Sequence, residues 1–63
     1  MEQMKRLRKA CGLTQEQLAY EVHVSHSLIW KIENGERKPS VKIAKRIANV
    51  LGFPWTDFFE ESA

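Results

Sequence analysis

The stretch from Thr14 to Gly35 constrains this chain most, because it holds two helix starts and one helix stop in quick succession. In T-Q-E-Q, Thr14 is followed three residues later by Gln17, a capping box whose two side chains satisfy the free amides of a new helix. Ser25 is a second start signal, and His23 to Ser25 interrupts the periodicity between the two. The first of these helices therefore has room for only about two turns. The second runs to Asn34-Gly35, where glycine suits the left-handed residue that ends a helix. On its helical wheel Leu28, Ile29 and Ile32 share one side, while His26, Ser27, Trp30 and Lys31 share the other. One face is built for a core and the other for a partner.

Similar punctuation divides the remaining chain. Met4, Leu7 and Cys11 recur at helical spacing before Gly12, which predicts a first helix with Cys11 as a small buried thiol on its inner stripe. Ser40 caps a fourth helix with Val41, Ala44, Ile47, Ala48 and Leu51 inward and Gly52 as its stop. Pro54 opens a last helical turn carrying Trp55, Phe58 and Phe59. Strand-like alternation and hairpin dipeptides are missing. The expectation is an all-α, compact five-helix domain in which helices two and three form a helix-turn-helix, about residues 14–34.

With 63 residues the chain reads as a single domain, 1–63, since a chain this short buries only about 60% of its unfolded surface and cannot support a second core. At 43% hydrophobic it is too apolar for disorder. It has no run long enough for a membrane span and no signal-peptide core near Met1, so a cytoplasmic location is expected. Residues 1–46 carry all ten Lys and Arg against five acids, whereas residues 47–63 carry three acids and no base. The basic part has the footprint of a polyanion binder, and the acidic tail a different job. His23 and His26 lack the further ligands that structural zinc requires, so neither metal nor other cofactor is expected. The histidines, Cys11 and the acids do not converge as nucleophile, base and orienting group, which argues against an enzyme.

A short helix, a tight turn and a second helix with a polar outer face is the geometry that places a helix in the DNA major groove. It requires Leu18, Val22, Val24, Ile29 and Ile32 to face inward and a small residue, Ala19, where the two helices cross. All six positions comply. The chain also resembles the lambda-repressor and Cro-like helix-turn-helix domains, often called XRE-like. The resemblance runs from about Met4 to Glu60 through L-R-K-A-C-G-L-T-Q-E-Q-L-A, V-S-H-S-L-I-W-K-I-E-N-G and R-K-P-S.

That resemblance implies a sequence-specific DNA-binding regulator, bacterial or phage in type, that binds as a homodimer, weak or DNA-assisted, on a palindromic operator. It assigns base contacts to His26, Ser27, Trp30 and Lys31. Lys31 donates hydrogen bonds and so suits guanine O6 and N7, while His26 and Ser27 can donate or accept. Trp30 has three readings: contact with thymine methyls, a shield over the core, or a protein contact. Gln15 and Asn34 match the family's phosphate clamps, with helix capping and turn formation as their structural roles. Ser25, Arg37, Lys38 and Lys42 are assigned to flanking phosphates; Lys5, Arg6 and Lys9 read first as solvated charges, which are common on any surface, with phosphate contact as the alternative. Arg8 and Glu33 match a buried structural ion pair. His23 departs from the family, which usually has glycine at that turn position.

A second reading keeps the fold but changes the target. The tail holds more aromatic surface than so short a segment needs for closure. Two rings would close the core, and Phe59, the ring expected to stay exposed, with Asp57, Glu60 and Glu61 would form a dimer or partner contact. The protein would then be an interaction module, such as an antitoxin or a partner-regulated adaptor. No separate ligand-sensing domain is legible, so regulation is expected to come from concentration, proteolysis or a protein partner.

Overall fold

The computed structural model describes residues 1–60; Glu61 lies outside the described residues. The order is α1 (Glu2–Ala10), α2 (Gln15–Val22), α3 (His26–Glu33), α4 (Val41–Leu51) and a one-turn 3-10 helix, Trp55–Phe58. The all-α class is as expected, but the described residues form four α-helices and a 3-10 turn rather than five helices of one kind. The last segment takes i-to-i+3 bonds, with the Asp57 amide donating to the Pro54 carbonyl at 3.0 Å and the Phe59 amide to the Thr56 carbonyl at 2.9 Å. A single turn confined between Pro54 and a buried Phe58 satisfies more of its groups this way than as an α-helix needing i-to-i+4 partners.

Local chemistry explains the helix starts. Thr14 Oγ1 accepts from the Gln17 amide at 3.0 Å while Gln17 Oε1 accepts from the Thr14 amide at 2.9 Å, completing the capping box. Ser25 and Ser40 accept from the Leu28 and Ile43 amides at 3.1 and 3.2 Å. At the turn between α2 and α3, His23 sits at φ 61° and ψ 45°, a left-handed residue doing what glycine does elsewhere. Its amide donates to the Ala19 and Tyr20 carbonyls, closing the end of α2.

The core gathers one stripe from each helix: Met4 from α1, Leu18, Ala19 and Val22 from α2, Ile29 and Ile32 from α3, and Ala44, Ile47 and Leu51 from α4, with Phe58 as lid. Val24 and Leu28 are half-buried against it. Two expected core positions lie elsewhere. Cys11 is exposed because α1 ends at Ala10, leaving Cys11 as the cap while Arg8 takes the inward place one turn after Met4. Val41 is 49% exposed. It is the first residue of α4, and a helical side chain leans toward the N-terminus, so Val41 overhangs the preceding loop. Among the described residues, no helix is long and apolar enough to cross a membrane.

Candidate functional site

The inner face of α3 is used up by Ile29, Ile32 and Glu33, and its 3.6-residue period leaves His26, Ser27, Trp30 and Lys31 exposed together on the outside. His26, Ser27 and Trp30 line one shallow depression with Gln15, the first residue of α2. Trp30 remains 46% exposed, so it is no lid on the core. Its exposed ring stands beside His26, Ser27 and Gln15 at the surface, where an aromatic side chain is available for contact.

Beneath this surface lies a chain of polar contacts. Arg8 Nε donates to Glu33 Oε2 at 2.6 Å and Arg8 Nη2 to Glu33 Oε1 at 3.3 Å, with the two side chains 8% and 2% exposed. Arg8 Nη1 donates to the Leu13 carbonyl at 2.7 Å, tying the α1–α2 connection into the same unit. Glu33 Oε1 also accepts from Gln15 Nε2 at 3.1 Å, and Gln15 Oε1 lies 3.1 Å from His26 Nε2. The chain therefore leads from the interior of α1, through the C-terminal end of α3, to the start of α2 and back to the first residue of α3. No buried side-chain nitrogen or oxygen among the described residues is left without a partner.

Several residues assigned to phosphates already hold intramolecular bonds. Gln15 bridges Glu33 and His26, Ser25 caps α3, and Asn34 Nδ2 donates to the Trp30 carbonyl at 2.9 Å. Each amide nitrogen keeps a second hydrogen, so the structural bond and an outward one are compatible. Arg37, Lys38 and Lys42 are exposed. Arg37 and Lys38 line a separate depression with Asp57 and Glu60, so the basic loop and the acidic tail face each other rather than sitting at opposite ends. Lys5, Arg6 and Lys9 are exposed on α1.

The aromatic tail differs from its expected form. Phe58 alone is buried, and Trp55 and Phe59 are both half-buried, edge to face at 6.1 Å, so no single ring stands exposed. Lys45 Nζ lies 5.1 Å from the Trp55 ring, a cation–π contact that covers part of it. Sequence reasoning also passed over Arg46, whose Nη1 donates to the Val22 carbonyl at 3.4 Å and so satisfies an acceptor at the end of α2. Nothing local marks Arg46 for that role, since the two residues are brought together only by packing. Among the described residues, no group of three His, Cys, Asp or Glu side chains is placed to hold a metal ion.

Comparison with known proteins gives this geometry a context. A family model described as Helix-turn-helix matches residues 4–58. The chain is 45% identical over 58 residues to the uncharacterized HTH-type transcriptional regulator YqaF of Bacillus subtilis, the match covering 92% of this chain and 76% of that protein. It is 41% identical over 56 residues to an uncharacterized HTH-type transcriptional regulator of Methanocaldococcus jannaschii, covering 89% and 85% of the two chains. A third, from Methanothermobacter thermautotrophicus, is 49% identical over 45 residues, covering 71% of this chain and 65% of its own length.

Proposed function

Because the chain belongs to the helix-turn-helix family, we propose that it is a sequence-specific DNA-binding transcriptional regulator acting as one domain, in the cytoplasm and without enzymatic activity. The observation that carries this reading is the outer face of α3, where His26, Ser27, Trp30 and Lys31 stand exposed together while the opposite face anchors the core. Inserted in a major groove, that face meets base edges, with Lys31 donating to guanine and Trp30 against thymine methyls. Gln15, Ser25, Asn34, Arg37, Lys38 and Lys42 supply phosphate contacts, which fix orientation and carry most of the salt-dependent affinity. Two copies on a palindromic operator would set their recognition helices about 34 Å apart, one helical turn.

The test is selection of sites from a random duplex library, with wild type beside Lys31→Ala and Arg37→Ala at two salt concentrations. Lys31→Ala should relax one position of an enriched palindrome at a cost of about 1–3 kcal/mol there. Arg37→Ala should weaken all sites alike and make the salt slope shallower by about one unit. A library that yields no motif at low salt overturns the reading.

A second reading, an interaction module whose target is protein, rests on the part of Trp55 and Phe59 left uncovered where the two rings pack edge to face against the core. In that case Trp55→Ala abolishes partner or self-association while DNA affinity shows no steep salt dependence.

A further inference from the structure

The contact between Gln15 and His26 has a direction that the surrounding chemistry determines. Glu33, paired with Arg8, is a carboxylate and can only accept hydrogen bonds. The end of the Gln15 amide that faces it at 3.1 Å must be the NH2, because a flipped amide would set two acceptor oxygens against each other. The Gln15 carbonyl oxygen therefore faces His26 Nε2 at 3.1 Å. An amide oxygen only accepts, so Nε2 must carry a proton. A neutral imidazole has a single N–H, which leaves a lone pair on Nδ1. His26 is exposed in the first turn of α3, and no described residue hydrogen-bonds its Nδ1.

Resting on the DNA-binding reading above, we propose that His26 reads its base as a hydrogen-bond acceptor through Nδ1, its tautomer set by Gln15 and, behind Gln15, by the buried Arg8–Glu33 pair. In the major groove an acceptor finds its match in an amine, adenine N6 or cytosine N4. Guanine N7 and O6 and thymine O4 are acceptors themselves. His26 thus selects adenine or cytosine on the strand it touches, the opposite preference to that of Lys31, which can only donate. Gln15 is the positioning residue: it selects which ring nitrogen is left to read.

Two readouts test this on the full chain in buffer at about pH 8, on the alkaline side of the ordinary histidine range. The first needs no DNA. In a long-range proton–nitrogen correlation spectrum of the labelled protein, the His26 ring, assigned by its loss in His26→Ala, should show one tautomer with the proton on Nε2. In Gln15→Ala, its fold checked by circular dichroism, the two nitrogen shifts should move toward each other as the tautomers mix. A proton on Nδ1 in wild type, or identical shifts in wild type and Gln15→Ala, overturns the lock.

The second readout is site selection. At the position relaxed by His26→Ala, wild type should lose affinity when the exocyclic amine is removed (purine for adenine, 2-pyrimidinone for cytosine), Gln15→Ala should no longer depend on that amine, and His26→Lys, whose side chain only donates, should not need it. Wild-type affinity that is unchanged when the amine at that position is removed, or that falls equally in His26→Ala, overturns the proposal. A library without any motif overturns the DNA-binding reading and the base preference with it, while the nitrogen shifts still decide the lock.

Discussion

Replacing Arg8 by methionine keeps much of the apolar stem and deletes the guanidinium, which isolates what the buried charge contributes. That group makes three bonds, two to Glu33 at 2.6 and 3.3 Å and one to the Leu13 carbonyl at 2.7 Å. With the two side chains 8% and 2% exposed, the pair is largely removed from bulk solvent. Glu33 would keep only the Gln15 amide at 3.1 Å, a neutral donor against a full charge. Breaking a buried pair from one side costs about 3–5 kcal/mol. At about 0.05–0.15 kcal/mol per residue, a domain of this length has only about 3–9 kcal/mol in total. Since each kcal/mol moves the melting midpoint of a small domain by about 4–8 °C, Arg8→Met should melt at least about 12 °C below wild type. Glu33→Leu strands the guanidinium instead and should lose a similar amount. Arg8→Met with Glu33→Leu removes both charges and leaves the Leu13 carbonyl and the Gln15 amide short of a partner, about 1 kcal/mol each. The double variant should therefore be more stable than either single one, as read by urea denaturation followed by helical circular dichroism. Additive losses in the double variant, or a loss under about 1 kcal/mol in Arg8→Met, would refute the reasoning.

Two further predictions concern the turn. His23→Gly removes a side chain from a φ of 61°, where it costs about 1 kcal/mol, at the expense of about 0.5 kcal/mol of extra chain entropy. The net gain of about 0.5 kcal/mol should raise the melting midpoint by about 2–4 °C, and a lower midpoint would show that His23 makes a favourable contact there. Ala19 is 3% exposed in the core shared by α2 and α3, so Ala19→Leu should cost about 1–3 kcal/mol in denaturation; an unchanged midpoint would mean the two helices have slack between them.

What could be read from the chain and what could not divide along the range of the interactions. Thr14, Ser25 and Ser40 cap helices through bonds to amides three residues on, so their roles are written in local order. The stripes of α2 and α3 were legible because both helices lie within one short span whose turn admits only one inward set. Cys11 and Val41 were misread because they sit at helix ends, where a stripe extrapolated by periodicity meets a backbone that has already changed direction. The fifth element was legible as one helical turn after Pro54 but not as a 3-10 turn, because aromatic spacing does not distinguish one turn of either kind. On the candidate site, the helical wheel of the third helix marked His26 as outward-facing, and the family resemblance alone marked Gln15, as a phosphate clamp. Their mutual bond joins residues eleven apart in the chain and became visible only in the fold. The same holds for Arg46 on the Val22 carbonyl and Lys45 over Trp55.

The polar chain from Arg8 to His26 also bears on how such a domain can be rewritten. No side-chain bond to the rest of the protein is found for Ser27, Trp30 or Lys31 among the described residues, so these three positions are free letters that can be exchanged one at a time without disturbing the scaffold. His26 is not free in this sense. It shares its hydrogen-bond grammar with Gln15, and Gln15 shares its own with Glu33. On the proposed DNA-reading role of α3, a foreign α3 grafted onto this scaffold would keep its specificity only if the residue at position 15 travelled with it, so that retargeting the domain would mean moving a pair of helix starts as one cassette.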